Sequence, residues 1–220
     1  MSAVPVIAID GPSASGKGTV AQIVAKTLAF NYLDSGALYR LVALAAAREG
    51  ADAADEARVA AVAAGLPVRF DGEEVLLDDE RVTDAIRTEE CSIAASRVAA
   101  LPAVRRALLD RQRSFRKPPG LVAEGRDMGS VVFADAALKV FLTASVEARA
   151  DRRYKQLKEK GIAATLSGLL QDLRERDARD ASRSVAPLKQ SPGARQLDTT
   201  GMSAAQAAAR IVGWYRGANG

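Results

Sequence analysis

The stretch VPVIAIDGPSASGKGT, residues 4–19, combines the local signals of a phosphate-binding loop. Its apolar, β-rich start predicts a strand that ends at Asp10, and the residues after it have the apolar spacing of a helix. Between them, Gly11, Gly16 and Lys17 match the pattern G-x-x-x-x-G-K. Glycines let backbone N–H groups turn toward an anion, the helix start presents unpaired N–H groups, and the lysine adds positive charge. The stretch therefore predicts a site for nucleotide phosphates.

The loop departs from the pattern at one position. Gly18 stands where the pattern has Ser or Thr, and Thr19 follows one residue later. Because the hydroxyl group is shifted, we expect Mg²⁺ to be held by phosphates and water rather than directly by the protein. The alternative is a glycine-rich turn without a ligand, which the flanking strand and helix signals disfavour.

Composition excludes several classes of mechanism. The chain has 220 residues, which suits one α/β domain with an insertion. It contains no histidine, and this removes every Ser-His or Cys-His mechanism and every His-ligated metal site. Cys91 is the one cysteine, so no internal disulfide can form, and we interpret it as a small, partly buried apolar residue.

Charge and hydropathy predict which partners and which cellular compartment the protein has. The net charge of +4 is a mild excess, and the 5% aromatic content offers little surface for stacking bases, so we expect no nucleic-acid partner. The N-terminus has no basic segment followed by an apolar one, and no apolar run reaches the length of a membrane span. We therefore expect a cytoplasmic monomer that binds no membrane.

Strand and helix signals alternate along most of the chain. Apolar runs predict strands at 6–9, 31–34, 121–123, 139–142 and 196–198, and this alternation is typical of a parallel sheet with helices on both faces. Residues 66–82, with a turn at Asp71-Gly72, instead predict a small antiparallel sheet. Helices are predicted at 37–48, 52–64, 88–99, 103–116, 146–160 and 166 to about 183, and a final helix runs to Trp214.

These patterns suggest a division into three parts. Residues 1–51, 91–143 and 184–220 would form the α/β core with a five-stranded sheet, and residues 52–90 an inserted small domain. Residues 144–183 would form a helical lid and its return helix. In such folds ligands bind at the carboxyl ends of the strands, where Asp10, Asp34 and Thr143 stand.

Three polar clusters accompany the loop. They are DSGALYR at 34–40, EGRD at 124–127 and RERDARDASR at 174–183. Phosphoryl transfer needs such positive charge, because it brings two phosphate groups together. Each cluster also has a structural alternative: a solvated arginine for Arg40, an internal ion pair for the second cluster, and a salt-bridged surface helix for the third.

Together these motifs resemble the bacterial cytidylate kinases, nucleoside monophosphate kinases that make CDP from CMP and ATP. The resemblance covers nearly the whole chain and rests on IDGPSASGKGT, LDSGALYR, AEGRDMGSVVF, RERDARDASRSVAPL and LDTTGMS. It implies a P-loop core, an inserted domain for the nucleoside monophosphate and a mobile lid. The GKGT ending is shared within this group, while Glu124 and Ser130 replace the Asp and Thr that are often found there.

The resemblance also implies roles for individual residues. The ATP phosphates would be held by Gly11, Pro12, Ser13, Ala14, Ser15, Gly16, Lys17, Gly18 and Thr19, with Arg149, Arg152 and Arg153 as further ATP-side contacts. CMP would be bound through its phosphate by Arg40 and Arg126, through cytosine by Ser35, Arg105, Asp127 and Arg183, and near the sugar by Ser96, Arg176 and Asp180, with Tyr39 in the same set. Lys17, Arg126 and Arg176 would be catalytic, and Mg²⁺ would enter with ATP.

Two alternative functions stay open at this point. A nucleotide-regulated switch that binds nucleic acid could use the same loop, but the guanine-reading pattern N-K-x-D is absent from the sequence. A kinase for UMP or another small acceptor is the second alternative. Cytosine offers an amino donor together with acceptor atoms, and this suits a site that contains both a carboxylate and arginines.

Overall fold

The computed structural model describes residues 4–52, 54–71, 74–159 and 161–218. Among them are eight strands and eight α-helices. In chain order these are β1 (Val6–Asp10), α1 (Lys17–Leu28), β2 (Asn31–Asp34), α2 (Ser35–Arg48), α3 (Glu56–Gly65), β3 (Val68–Asp71), β4 (Glu74–Leu77), β5 (Glu80–Arg81), α4 (Glu89–Val98), α5 (Pro102–Arg113), β6 (Leu121–Gly125), β7 (Leu138–Thr143), α6 (Val146–Glu159), α7 (Leu166–Ala181), β8 (Arg195–Asp198) and α8 (Ala204–Ala218).

The strands form two sheets, as the sequence predicted. The larger sheet has five strands in the order β2-β6-β1-β7-β8, and the pairings of β1 with β6 and β7, and of β7 with β8, are parallel. The smaller sheet, β3-β4-β5, is antiparallel. Because β1 is the central strand and is buried along its whole length, the loop that follows it starts from a rigid position.

The chain divides into two compact units. One contains residues up to Leu33 and from Phe115 onward, and the other spans Asp34–Ser114. The second unit is larger than the predicted insertion at 52–90, because α2, α4 and α5 pack with the residues between them. The functional division into insertion, core and lid stays a prediction.

The main apolar cluster of the first unit lies on one face of the five-stranded sheet. Apolar side chains of the strands pack there against α1 and α8, which cover that face together; the cluster includes Ile7, Ile9, Val24, Val140 and Ile211. A separate small cluster joins α6 to α7 through Ala150, Leu157, Leu169 and Leu173. The loop residue Ala14 packs against this second cluster, so the predicted lid helices contact the phosphate loop directly.

Several predicted boundaries were wrong by a few residues. The helix expected from 52 begins at Glu56, because the Asp55 carboxylate caps it and accepts from the Arg58 N–H at 3.0 Å. The helix expected from 166 to about 183 ends at Ala181, which leaves Arg183 outside it. β6 runs on through Glu124 and Gly125, so that carboxylate belongs to the strand. Gly72 and Lys160, named in two predictions, lie outside the described residues.

Smaller differences occur at other termini. The helix predicted at 103–116 starts one residue earlier, at Pro102, and ends at Arg113. The last helix continues past Trp214 to Ala218. The structure also contains a π-helical turn at Met128–Val132 and a 3₁₀ turn at Ala85–Arg87 that the periodicity did not indicate. In the described part of the chain, none of the helices has the length and apolarity to span a bilayer.

The central strand supplies a test of the core. Ile9 is fully buried on β1, so Ile9→Ala leaves a cavity and should lower the free energy of unfolding by about 2–5 kcal/mol. The matched control is Ile162→Ala, since Ile162 is 52% exposed and should change stability by no more than about 0.5 kcal/mol. Urea denaturation measures both. Equal effects of the two variants would contradict the placement of β1 at the centre of the core.

Candidate active site

The phosphate loop connects the central strand to α1. Gly16 caps the helix in a left-handed backbone conformation, and no side chain caps the N–H groups of the first turn. Gly11 lies so close to β7 that an added Cβ would stand 2.1 Å from the Leu142 carbonyl oxygen. The Lys17 Nζ donates to the Pro12 carbonyl at 3.1 Å, so the lysine folds over the loop. The loop is therefore tightly seated, with a helix N-terminus open to an anion.

Glu124 explains the glycine at position 18. Its carboxylate is buried at the end of β6 and lies so near the start of α1 that a Cβ on Gly18 would stand 2.9 Å from Oε1. The Tyr32 hydroxyl donates to the same oxygen at 2.6 Å and holds it there. A serine or threonine at position 18 would collide with this carboxylate. Gly18 thus leaves room for the Glu124 carboxylate, which would have to shift if a larger residue stood at this position.

An arginine of α6 holds one carbonyl of the loop. The Arg149 Nη1 donates to the Ser13 carbonyl oxygen at 3.1 Å. Its guanidinium also forms a two-bond ion pair with Asp177 of α7, with the shorter contact at 2.5 Å. Arg149 is nearly fully buried, so its position is set by these partners rather than by solvent.

A second carbonyl is held from two sides. The Arg152 Nη1 and the Thr199 hydroxyl donate to the Ser15 carbonyl oxygen at 3.1 and 3.2 Å. Arg152 also donates to the Thr199 carbonyl, and the Thr199 hydroxyl lies 3.0 Å from the Thr143 carbonyl oxygen, so its single proton is shared between the carbonyls of Ser15 and Thr143. A trans peptide directs its C=O and its N–H to opposite sides. With the carbonyls of Ser13 and Ser15 drawn toward α6, the following N–H groups point the other way.

These contacts change the interpretation of the α6 arginines. The resemblance assigned Arg149, Arg152 and Arg153 to ATP, whereas in the structure the first two donate to carbonyl oxygens of the loop. They act there on the shape of the anion site. A direct contact between these arginines and ATP stays a prediction, as does any role of Arg153 on the same helix.

Asp180 is the centre of a buried arginine cluster. It is 1% exposed, the Arg126 Nε donates to it at 2.8 Å, and Arg183 bonds its other oxygen. Burial alone would raise the pKa of Asp180, but the charges of Arg126 and Arg183, the hydrogen bond from Arg126 and the charge of Arg176 outweigh it and lower that pKa. Within the third sequence cluster, Asp180 and Arg183 therefore form a buried ion pair, whereas Arg174 and Glu175 are exposed.

Asp127 and Asp10 lie at the ends of the neighbouring strands β6 and β1. Asp127 is buried and immediately precedes the π-helical turn. Asp10 is 4% exposed and accepts hydrogen bonds from the Met128 and Gly129 N–H groups, both at 2.8 Å. Desolvation by burial raises the pKa of Asp10 to about 6, although the two backbone hydrogen bonds act in the opposite direction.

The second unit carries its own polar cluster at the start of α2. Asp34 caps this helix by accepting from the Ala37 N–H at 3.0 Å, and its other oxygen pairs with Arg40 at 2.6 Å. The sequence predicted an anion site at this helix start. The Asp34 carboxylate already occupies such a position, so an incoming phosphate would have to take over Arg40 from it.

Further predicted residues lie in the same unit. The Arg105 guanidinium lies over the Tyr39 ring at 5.6 Å and donates to the Ala99 carbonyl at 3.0 Å. Ser35 at the start of α2 and Ser96 on α4 are both buried. Arg105 is likewise nearly buried, so its charge is held by neighbouring groups and is not a solvated surface charge.

Within the described ranges no group of three or more His, Cys, Asp or Glu side chains could hold a metal ion. Glu124 is the carboxylate that lies against the start of α1, next to the expected phosphates. Its oxygens fit a hard cation such as Mg²⁺ reached through water. Binding of Mg²⁺ with the phosphates stays a prediction.

Some residues of the site were not assigned by sequence reasoning. Asp10, Thr199 and Asp177 act on backbone or side-chain groups of other elements, and motif spacing carries no signal for such contacts. Two signals were present in retrospect: Asp10 ends the strand before the loop, and Thr199 lies in the quoted LDTTGMS.

Comparison with known proteins identifies relatives over nearly the whole chain. The family model for cytidylate kinase matches residues 7–216. Cytidylate kinases from Polynucleobacter asymbioticus and Bordetella bronchiseptica are 58% and 60% identical, over 99% and 97% of this chain and 99% and 96% of their own lengths. The cytidylate kinase of Chromobacterium violaceum is 59% identical over 96% of both chains. Among solved structures, a gluconokinase from Sinorhizobium meliloti 1021 is similar with a TM-score of 0.49 at 15% identity, over 100% of this chain and 96% of that one.

The raised pKa of Asp10 predicts a pH-dependent stability. The folded protein disfavours the ionised carboxylate, so its stabilising contribution is present below about pH 4 and is lost as the pH rises to about 6. The free energy of unfolding of the wild type minus that of Asp10→Asn should fall by about 3 kcal/mol across this window, from a shift of roughly two units. Urea denaturation at pH 4, 5, 6 and 7 measures the difference.

Asp135→Asn is the matched control because its pKa is shifted in the opposite direction. A hydrogen bond from Arg116 lowers the pKa of Asp135, so the stability that its carboxylate adds is lost only as the pH falls below about 4, and the difference for this variant should not fall between pH 4 and 7. A difference for Asp10→Asn that stays constant with pH would show that its folded pKa is ordinary.

Proposed function

Because the chain belongs to the cytidylate kinase family, we propose that it transfers the γ-phosphoryl group of ATP to CMP and dCMP, forming CDP and dCDP. The protein is an enzyme, a nucleoside monophosphate kinase. The observation that carries the proposal is the phosphate loop, whose carbonyls at Ser13 and Ser15 are drawn to one side by Arg149 and Arg152. An array of backbone N–H groups beside an open helix N-terminus suits a polyphosphate.

The loop residues 11–19 would bind the β- and γ-phosphates of ATP. Lys17 reaches across the loop to the Pro12 carbonyl, and its charge would move to the transferred group when ATP is bound. In-line transfer to the acceptor needs no covalent intermediate on the protein, which agrees with the absence of histidine from the chain. The work of the protein is then to place the two phosphates and neutralise the charge between them.

The buried arginine cluster of the first unit would bind the acceptor nucleotide. Arg126 would hold its phosphate and Arg176 would stabilise charge during transfer, which makes both catalytic with Lys17. Asp180 would accept from a sugar hydroxyl, and its low pKa keeps it ionised for that purpose. Because Asp180 already binds Arg126 and Arg183, a substrate contact would be added to a rigid network.

Asp127 and Arg183 would contact cytosine. An ionised carboxylate only accepts hydrogen bonds, and cytosine offers the N4 amino group as a donor. Uracil presents an acceptor oxygen at the same place, so it would face Asp127 without a hydrogen bond. The buried position of Asp127 makes this mismatch costly.

The second unit would contribute its own contacts to the acceptor. Arg40 would exchange the Asp34 carboxylate for the phosphate, since arginine binds both groups with the same planar fork. The other substrate-binding residues of this unit would be Ser35, Tyr39, Ser96 and Arg105.

Mg²⁺ would enter with ATP, held by phosphates and water, with Glu124 as the nearest carboxylate to the start of α1. Bound there, it would neutralise charge on the phosphates. A mobile lid at 144–183, a monomeric state and a cytoplasmic location are further parts of the proposal that rest on the sequence.

The direct test is a coupled ADP-release assay with CMP, dCMP, UMP, AMP, GMP and shikimate as acceptors. CMP and dCMP should be the best substrates, with activity lost on removal of Mg²⁺. Lys17→Ala should retain the fold and lower kcat by about 100-fold or more, because the charge on the transferred group is left uncompensated. Lys26→Ala, on an exposed turn of the same helix, is the matched control and should stay near wild type.

Two outcomes would overturn this assignment. A preference for shikimate or a purine nucleotide would replace the proposed acceptor. Near-normal turnover by a folded Lys17→Ala protein would remove the phosphate loop from the reaction.

A further prediction concerns the choice between cytosine and uracil. Asp127→Asn can turn its amide group to donate to the uracil O4, so the preference for CMP over UMP should shrink while the rate with CMP falls. The loss in the ratio of kcat/KM values should be about 10- to 200-fold. The test is to measure kcat/KM for CMP and UMP in the wild type and in Asp127→Asn, with Asp135→Asn as a control at an exposed carboxylate. A fall in both rates at an unchanged ratio would show that Asp127 does not read the base.

A further inference from the structure

Asp10 lies between the residues proposed to bind ATP and those proposed to bind the acceptor nucleotide. It is the last residue of the central strand β1 and comes directly before Gly11 of the phosphate loop. Its side chain bonds another part of the chain. The two carboxylate oxygens accept from the backbone N–H groups of Met128 and Gly129, each at 2.8 Å, and these residues follow a different strand.

The two N–H groups belong to the start of a turn that orients Asp127. The π-helical turn Met128–Val132 begins immediately after Asp127, and the Val131 and Val132 N–H groups donate back to the Asp127 carbonyl at 2.9 and 3.2 Å. The first two N–H groups of such a turn have no partner within it. Asp10 supplies both partners at once, so it fixes the turn at the end nearest Asp127.

We propose that Asp10 is a positioning residue for the acceptor nucleotide, which holds the Met128 and Gly129 N–H groups and thereby aims the side chain of Asp127. This inference rests on the proposed function, because Asp127 is there assigned to cytosine. It adds a residue that touches neither substrate and that precedes the ATP-binding loop in sequence while acting on the other end of the site.

The charge of Asp10 is what makes the anchor strong. Hydrogen bonds from N–H groups to an ionised carboxylate are about twice as strong as neutral ones. Protonation of Asp10 would remove its negative charge and turn one oxygen into a hydroxyl, which is a weaker acceptor for an N–H group. The anchor should therefore weaken at mildly acidic pH, consistent with the raised pKa of this buried group.

Other charged groups face Asp10 from the elements around it. The negative charge of Asp127 raises the pKa of Asp10, and the positive charge of Arg126 lowers it. On β7, the Lys139 side chain lies against Gly129 of the turn. Histidine is absent from the chain, so no imidazole titrates in the same range.

The competing explanation is that Asp10 merely supports the phosphate loop through the chain that joins them. The two explanations differ in which substrate is affected. A residue that aims Asp127 should alter the KM for CMP and the choice of base, whereas a residue that supports the loop should alter the affinity for ATP.

The first experiment compares Asp10→Asn with the wild type and with Asp135→Asn, an exposed carboxylate of the same unit. The ratio of kcat/KM values for CMP over UMP should fall about tenfold in Asp10→Asn, because a small misplacement of a contact group has effects of this size or larger. The dissociation constant for ATP, measured by calorimetry with a non-hydrolysable analogue, should change by less than about twofold. Asp135→Asn should alter neither quantity.

A pH series on the wild type tests the same inference without any substitution. The CMP:UMP ratio should fall on going from pH 8 to pH 5.5, with a midpoint near pH 6. The two substrates carry the same phosphate group, whose own titration near this pH cancels in the ratio. In Asp10→Asn the ratio should be low and flat across the series. If the variant fails to fold, the wild-type series alone decides the question.

A double-mutant cycle separates action through Asp127 from independent effects. If Asp10 works by aiming Asp127, then Asp10→Asn added to Asp127→Asn should cause almost no further change in the CMP:UMP ratio. Additive losses would overturn the inference.

Other outcomes also decide against it. A rise in the ATP dissociation constant with an unchanged base ratio assigns Asp10 to the phosphate loop. A wild-type ratio that is flat down to pH 5.5 likewise overturns the inference. A wild type without CMP kinase activity defeats the proposed function and this inference together, whereas an active wild type with an unaltered ratio in Asp10→Asn defeats only the inference.

Discussion

The orientation of two peptide groups in the phosphate loop is the constraint on which the rest of the site depends. A polyphosphate can be bound by backbone N–H groups only if the carbonyl oxygens of the same peptides find partners elsewhere. Arg149 takes the Ser13 carbonyl, and Arg152 with Thr199 takes the Ser15 carbonyl. The donors come from α6 and from the segment after β8, so the anion site requires that these elements are packed in place.

Several arginines of the site are already paired with carboxylates. Asp34 holds Arg40, Asp177 holds Arg149, and Asp180 holds Arg126 together with Arg183. An unpaired charge in a buried position is costly, so these pairs let the protein keep arginine charge in positions shielded from solvent. Gly18 leaves room for another buried carboxylate, that of Glu124, which accepts from the Tyr32 hydroxyl.

Much of the fold was predictable because its signals are local. The strand before the loop, the helix after it and the antiparallel strands around Leu76 each follow from apolar spacing and turn residues within a dozen positions. The errors occurred where a cap or a tertiary contact set the boundary: Asp55 delays the start of α3, and the pairing of β6 with β1 extends that strand through Glu124. Within residues 174–183, the burial of Asp180 was likewise not predictable, because a helical repeat does not show which charged position is buried.

The amino-acid sequence by itself determined the phosphate loop, the α/β alternation, the small antiparallel sheet and the family, since these reside in short motifs and in residue identity along the chain. Only the tertiary structure decided which groups hold those motifs in shape. Asp10 meets Gly129 across 119 positions, and Thr199 meets Ser15 across 184. Such contacts leave no periodic trace, because one hydrogen bond between distant elements needs only one suitable side chain at each end. Packing of the central sheet brings those ends together. That packing is made by apolar residues, and their pattern in the sequence does not indicate which polar contacts will form.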